Sequence, residues 1–251
     1  MTDVEKNAPG VDPSLHIQNL IRPVIESFHG DNGARDLAAS PEYKKYLAAA
    51  EELAGFDPFL LETRDQRLTF WINVYNVTAI RLQIDHNGDS PNGDSPKGDS
   101  NAGDACNIGG AAYSLVDIEY GILRSNARRP YRPWRHLPPW DRRRRLAPDP
   151  PEPLVNFALS RPGSNLRLRF YEGETIDRQL HDAAVEFLGS GGVVIDPVKQ
   201  TILLAPLLRD CAADFGGGQG LMRFIASHLE PGGDAAFVYS RGGRVDIRFQ
   251  K

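Results

Sequence analysis

The sequence predicts an α+β fold, with a helix-rich first half packed on a small antiparallel sheet from the second half. Three observations carry it. Apolar residues recur at helical spacing, with start and stop signals, through Ile84. Period-two runs bounded by Gly and Pro appear only after Pro153. Strands and helices do not alternate as a parallel sheet requires.

The elements follow in order. Residues 1–10 read as a loose polar tail, and residues 11–251 as a single domain. Asp12-Pro13 suits a helix start, with Asp12 as N-cap; Pro23 should kink or split that helix. Ser40-Pro41 opens a second helix that stops at Gly55. "DPFLLETRDQ" gives a short helical turn, and Arg67 to Ile84 a long helix, apolar nearly all round. Residues 87–105 are a Gly-Asp repeat with no apolar residue to bury, expected as a disordered insertion. Gly109-Gly110 marks a turn, and Ser114 with Asp117 approximates a capping box for a helix over Leu115 to Ser125.

Arg124 to Pro153 carries nine arginines against Asp141, Asp149 and Glu152, and its prolines exclude long helices. It reads as a surface loop with Trp134 and Trp140 tucked in as anchors. Strands are expected over 154–159 and 166–171, then a helix from N-cap Thr175 to Gly189. "GGVVIDPVKQTILLA" has a hairpin pattern, two helices follow, and "AAFVYSRGGRVDIRF" closes the chain as a second hairpin.

Composition narrows the function classes. The 251 residues are 41% hydrophobic and 25% charged, which suffices for a core without staples. A net charge of −4 gives no global argument for nucleic acid. The N-terminus shows no secretory pattern, and no apolar window is long enough to span a membrane. Cys106 and Cys211 form no disulfide framework or zinc cluster, and reduced thiols point to the cytoplasm. The six histidines form no i, i+3 or i, i+4 pair, and no HExxH, Walker, GxSxG or GxGxxG motif occurs. No metal and no cofactor is expected.

"FWINVYNVTAI", "IGGAAYSLVDIEYGILR", "NFALSRPGSNLRLRFY" and "DRQLHDAAVEFL" occur in this order. Together they resemble the domain of unknown function 547 family over about residues 40–230. The resemblance implies no established activity. Many bacterial members carry a His before Phe-Ala-Leu and a Ser-Cys-Pro turn, which suggests a thiol–imidazole pair. Here the His position is Asn156, the Cys position falls at or beside Asn165, and the family's frequent His after Ile-Glu is Tyr120. An amide has no useful pKa and can only position, donate and accept.

The expected site follows from the polar members of these motifs. Asn73, Asn76, Glu119, Arg124, Asn156, Ser164 and Asn165 are candidates to line one polar pocket, with no catalytic residue assigned. In the competing structural reading, the two amides of the long helix satisfy neighbouring backbone. The first functional reading is a degenerate binding or scaffold domain with an unknown protein or small-molecule partner. A hydrolase or acyltransferase using Glu119 with Ser164 is the alternative. A third reading has the Arg-rich loop bind nucleic acid or an anionic membrane, though a solvated loop is favoured over it.

Overall fold

The computed structural model describes residues 12–28, 40–89, 105–130, 132–161, 168–196, 198–229 and 246–250. The N-terminal tail, most of the Gly-Asp repeat and the first strand of the expected final hairpin lie outside these residues. The fold is α+β, and the chain divides into two compact units. The first comprises residues 1–152 and 159–176, the second residues 153–158 and 177–251.

In the first unit, α1 (Leu15–Ser27) packs against α2 (Pro41–Gly55) and α3 (Arg64–Asp89). Helix α1 starts later than expected. Asp12 accepts from the backbone and hydroxyl of Ser14, and Ser14 holds the N-cap position. Pro23 does not split the helix; Ile21, Val24 and Ile25 around it are fully buried, so packing outweighs the lost hydrogen bond. Ser40 caps α2 by accepting from the Tyr43 N–H at 3.1 Å, with Pro41 in the first turn. Helix α3 begins before Arg67 because Thr63 and Gln66 cap each other's backbone N–H groups. Its residues Phe70 to Thr78 are all buried, as expected for a helix apolar nearly all round.

Strands β1 (Ala105–Ile108) and β2 (Ala111–Ser114) form an antiparallel hairpin that the sequence pattern showed only as a turn. Gly109 and Gly110 take φ of +58° and +76°, the pair of positive values that a tight two-residue hairpin turn needs. Their N–H groups donate to Leu53 O, which also accepts from the Phe56 N–H, and to Ala54 O, both carbonyls at the end of α2. The Arg-rich segment is a loop containing one 3₁₀ turn, Arg142–Leu146. Its anchors are not the tryptophans: Trp134 and Trp140 are 61% and 82% exposed. Leu137 and Leu146 are buried instead, and the Asn126 amide both donates to Leu137 O and accepts from Leu137 N.

The second unit corrects one strand. Pro153–Phe157 is a 3₁₀ turn, because Phe157 folds in among Phe187, Phe215 and Phe224 rather than joining a ladder. Helix α4 (Ile176–Phe187) follows, then β3 (Val193–Asp196) and β4 (Thr201–Leu204), paired antiparallel as expected. The next helices are α5 (Pro206–Cys211) and α6 (Gly218–His228). β5 (Asp246–Phe249) then pairs parallel to β4, so the sheet is mixed rather than wholly antiparallel. The connection through α5 and α6 is long enough to return the chain in the same direction, which a hairpin cannot do. Phe157, Ala184, Leu188, Ile202, Leu204, Leu208, Leu221 and Ile225 form the core of this unit.

Candidate functional site

The polar residues of α3 do not face solvent. Asn73 and Asn76 are both fully buried. The Asn73 amide donates to Tyr171 O at 2.8 Å and to Gln18 Oε1 at 3.0 Å, and its Oδ1 accepts from the Tyr171 N–H at 3.0 Å. It takes the place of a strand neighbour for the irregular segment after residue 167. Gln18 passes the network on, donating to Asp12 Oδ2 and Ser14 Oγ. One turn further, Asn76 Oδ1 accepts from the Ser160 N–H at 2.9 Å. The two amides thus fasten Ser160 and Tyr171 to one helix.

Beside them lies a buried charge cluster. Residues Asp117–Leu123 are π-helical, with the Arg124 N–H donating to Glu119 O, five residues back. This winding stacks residues five apart, so Arg124 Nη1 reaches Glu119 Oε1 at 3.6 Å, a pair that α-helical spacing disfavours. Arg161 adds two donors to the same oxygen, Nε at 3.1 Å and Nη2 at 2.9 Å, and Tyr75 donates to Oε2 at 3.3 Å. Burial pushes the Tyr75 hydroxyl far above the ordinary tyrosine range, and the Glu119 carboxylate pushes it further, so it stays a neutral donor. Burial is the largest influence and opposes the Arg161 charge, but its neighbours together, Glu119 foremost, hold the guanidinium above its usual value. Glu119 is therefore the hub of an ion-pair cluster, not a surface charge.

A second network ties down the Arg-rich loop. Ser114 Oγ accepts from the Asp117 N–H, and Asp117 Oδ2 accepts from the Ser114 N–H: the capping box in full. Asp117 also meets His136 Nε2 at 2.8 Å and Arg143 Nη1 at 3.4 Å. Partial burial raises its pKa, but the bonds from His136 and Ser114 and the charge of Arg143 outweigh that and hold the carboxyl at about 2.

A family model described as a protein of unknown function, DUF547, matches residues 60–188, just over half of the chain. The chain belongs to the DUF547 family. No curated protein and no solved structure matches it. The DUF547 match spans every candidate residue, from Asn73 to Asn165, and leaves α2 and the β3–β4 hairpin outside.

Within the DUF547 region, Asn73, Asn76, Glu119 and Arg124 lie in the first unit, whereas Asn156 lies in the second. The Asn156 amide is fully buried and donates to Asp214 Oδ2 at 2.8 Å and to Pro153 O at 3.0 Å. Ser164 and Asn165 fall outside the described residues. Sequence reading missed Gln18, Tyr75, Arg161 and Asp214. Arg161 carried a signal, since it follows the family-like Phe-Ala-Leu-Ser run, and so did Tyr75, between the two amides of "FWINVYN", and Asp214, in the family-like Asp-Phe-Gly; Gln18 had none. Both cysteines are buried free thiols, and burial raises the Cys106 pKa. Among the described residues, no three His, Cys, Asp or Glu side chains are grouped to hold a metal ion, and no helix is long and apolar enough to cross a membrane.

Proposed function

We propose that this DUF547 chain is a non-catalytic binding domain of the cytoplasm, recognising a protein or small-molecule partner through the surroundings of its buried polar residues. The observation that carries the reading is Asn156. It stands where the family resemblance places an imidazole, and its amide is spent on the Asp214 carboxylate and the Pro153 carbonyl. An amide so held supplies no base at neutral pH. The rest of the polar set supports the same reading. Asn73 and Asn76 serve backbone groups, Glu119 serves two guanidiniums, and the two thiols are buried. The pocket hypothesis keeps Asn73, Asn76, Glu119 and Arg124, all in the first unit, as its members, with the α3 amides setting its shape rather than touching the partner.

The test joins turnover to covalent labelling. Purified full-length chain is incubated with activated acyl esters and thioesters, and separately with fluorophosphonate and iodoacetamide probes. The expected result is no turnover above buffer and no labelling of the native state. Turnover or labelling that disappears in Asn156→Ala or Ser164→Ala overturns the proposal. A thermal-shift screen against small molecules then seeks the partner, because a ligand that binds only the folded state raises the melting temperature.

A further inference from the structure

The Arg-rich loop concerns a surface that the DUF547 reading leaves unused. Nine arginines against three acidic residues leave residues 124–153 at a formal +6, in a chain whose net charge is −4. The segment therefore carries a local excess of positive charge on an otherwise acidic chain. Part of it does structural work: Arg143 binds Asp141 and Asp117, and Arg124 belongs to the Glu119 cluster. Arg142, Arg144 and Arg145 do not. All three are exposed, and among the described residues none forms an ion pair with a carboxylate. The Arg144 guanidinium donates to the Pro139 carbonyl.

Apolar groups stand among these charges. The guanidinium carbons of Arg142 and Arg145 lie 5.0 and 6.0 Å from the Phe59 ring centroid, which places both beside the Pro58–Leu60 turn. Leu60, next in the chain, is 51% exposed, and Trp140, two residues before Arg142, is 82% exposed. An isolated exposed leucine needs no explanation. An exposed leucine and an almost bare tryptophan around three uncompensated arginines match the requirements of a bilayer boundary. Aromatic rings concentrate at the headgroup level, and arginines pair with anionic headgroups. A single-stranded nucleic acid would use the charge and Trp140, but would find no stacking plane on Leu60. The fixed φ of the prolines on either side, Pro138, Pro139 and Pro148, limits the ordering cost of docking such a loop.

We propose that this face docks the protein peripherally onto an anionic lipid bilayer, with Arg142, Arg144 and Arg145 on the headgroups and Trp140 and Leu60 at the acyl boundary. Trp134, 61% exposed and with the Arg132 guanidinium 5.8 Å from its ring, supplies a second aromatic contact on the same loop. The negative surface of the cytoplasmic leaflet is the matching partner.

Co-sedimentation of the full chain with vesicles tests this. Phosphatidylcholine vesicles are compared with vesicles carrying about 30% phosphatidylserine, a fraction that gives a strongly negative surface. Binding is expected to the anionic vesicles alone. It should be lost between about 0.1 M and about 1 M salt, where the screening length falls from about 10 Å to about 3 Å. Replacing Arg142, Arg144 and Arg145 together by Gln should weaken partitioning roughly a hundredfold, about fivefold per arginine. The same three changed to Lys should retain most of it. Trp140→Ser should weaken binding with the charge intact, and brominated lipid should quench less tryptophan fluorescence in this variant than in the parent chain, leaving the share from Trp134. These side chains are exposed, so the melting temperature of each variant is expected to stay at that of the parent chain. No binding to anionic vesicles, or unchanged binding by the triple Gln variant, overturns the proposal. Tighter binding of oligouridylate than of vesicles, with the same arginine dependence, overturns it in favour of nucleic acid.

Discussion

Asn73→Ala removes three hydrogen bonds from the interior of the first unit and replaces none of them. The Asn73 side chain is fully buried, and Tyr171, to which it bonds twice, is 1% exposed. A buried polar group that loses its partner costs about 1–3 kcal/mol, against a net worth of about 1 kcal/mol for an ordinary bond. Two backbone groups and the Gln18 carbonyl are affected, so a loss of about 4 kcal/mol is expected after partial relaxation. For a chain of this size that lowers the melting temperature by roughly 10 °C. Asn76→Ala, which removes the bond to the Ser160 N–H, should cost about half as much. Asn73→Asp keeps the acceptor for the Tyr171 N–H but turns an oxygen toward two other oxygens, and should be at least as damaging as Ala. Urea unfolding followed by circular dichroism gives the values. If Asn73→Ala costs less than about 1 kcal/mol, the amide is not a structural clasp and the reasoning behind its assignment fails.

Glu119→Gln takes the shared carboxylate from Arg124 and Arg161 and should cost about 3–5 kcal/mol, read by the same urea series; a loss under about 1 kcal/mol would show the cluster to be energetically idle. Asp117 has its folded-state pKa depressed from 3.8 to about 2, so its contribution is complete above its ordinary pKa and is lost as pH falls from about 4 to about 2. That contribution is about 2 kcal/mol, and Asp117→Asn should flatten the stability–pH curve in this window; an unchanged curve refutes the assignment. Gly109→Ala should cost about 2 kcal/mol, because φ is +58° and the new Cβ would sit 2.8 Å from Phe56 O. Gly110→Ala, at φ +76° with open space around it, should cost about half that, and equal losses would refute the close-approach argument.

What could be read in advance was whatever closes within a few residues. Ser40 with Tyr43 and Ser114 with Asp117 are motifs whose partners are fixed by spacing. The Gly109-Gly110 turn is equally local, since positive φ at two successive positions calls for glycine. The β3–β4 hairpin followed from short alternating runs around a turn. Where local signals were balanced, tertiary packing decided. Residues 154–157 alternate well enough for a strand, but an aromatic cluster drew Phe157 into a 3₁₀ turn. Trp134 and Trp140 look like anchors by size alone, while Asn126, Leu137 and Leu146 do the anchoring.

The candidate residues were visible as a set, through their order along the chain and their likeness to the DUF547 motifs. Their partners were not. The Asn73–Tyr171 bonds join residues 98 apart, and Arg161 meets Glu119 across 42. The Glu119–Arg124 pair depended on a switch to π-helical winding that no residue in the segment announces. The sequence by itself determined which groups are polar inside apolar surroundings, because side-chain chemistry and helical period are carried residue by residue. Only the tertiary structure decided what each group bonds to, because a buried amide must be satisfied by whichever backbone the fold brings within 3 Å, however distant along the chain.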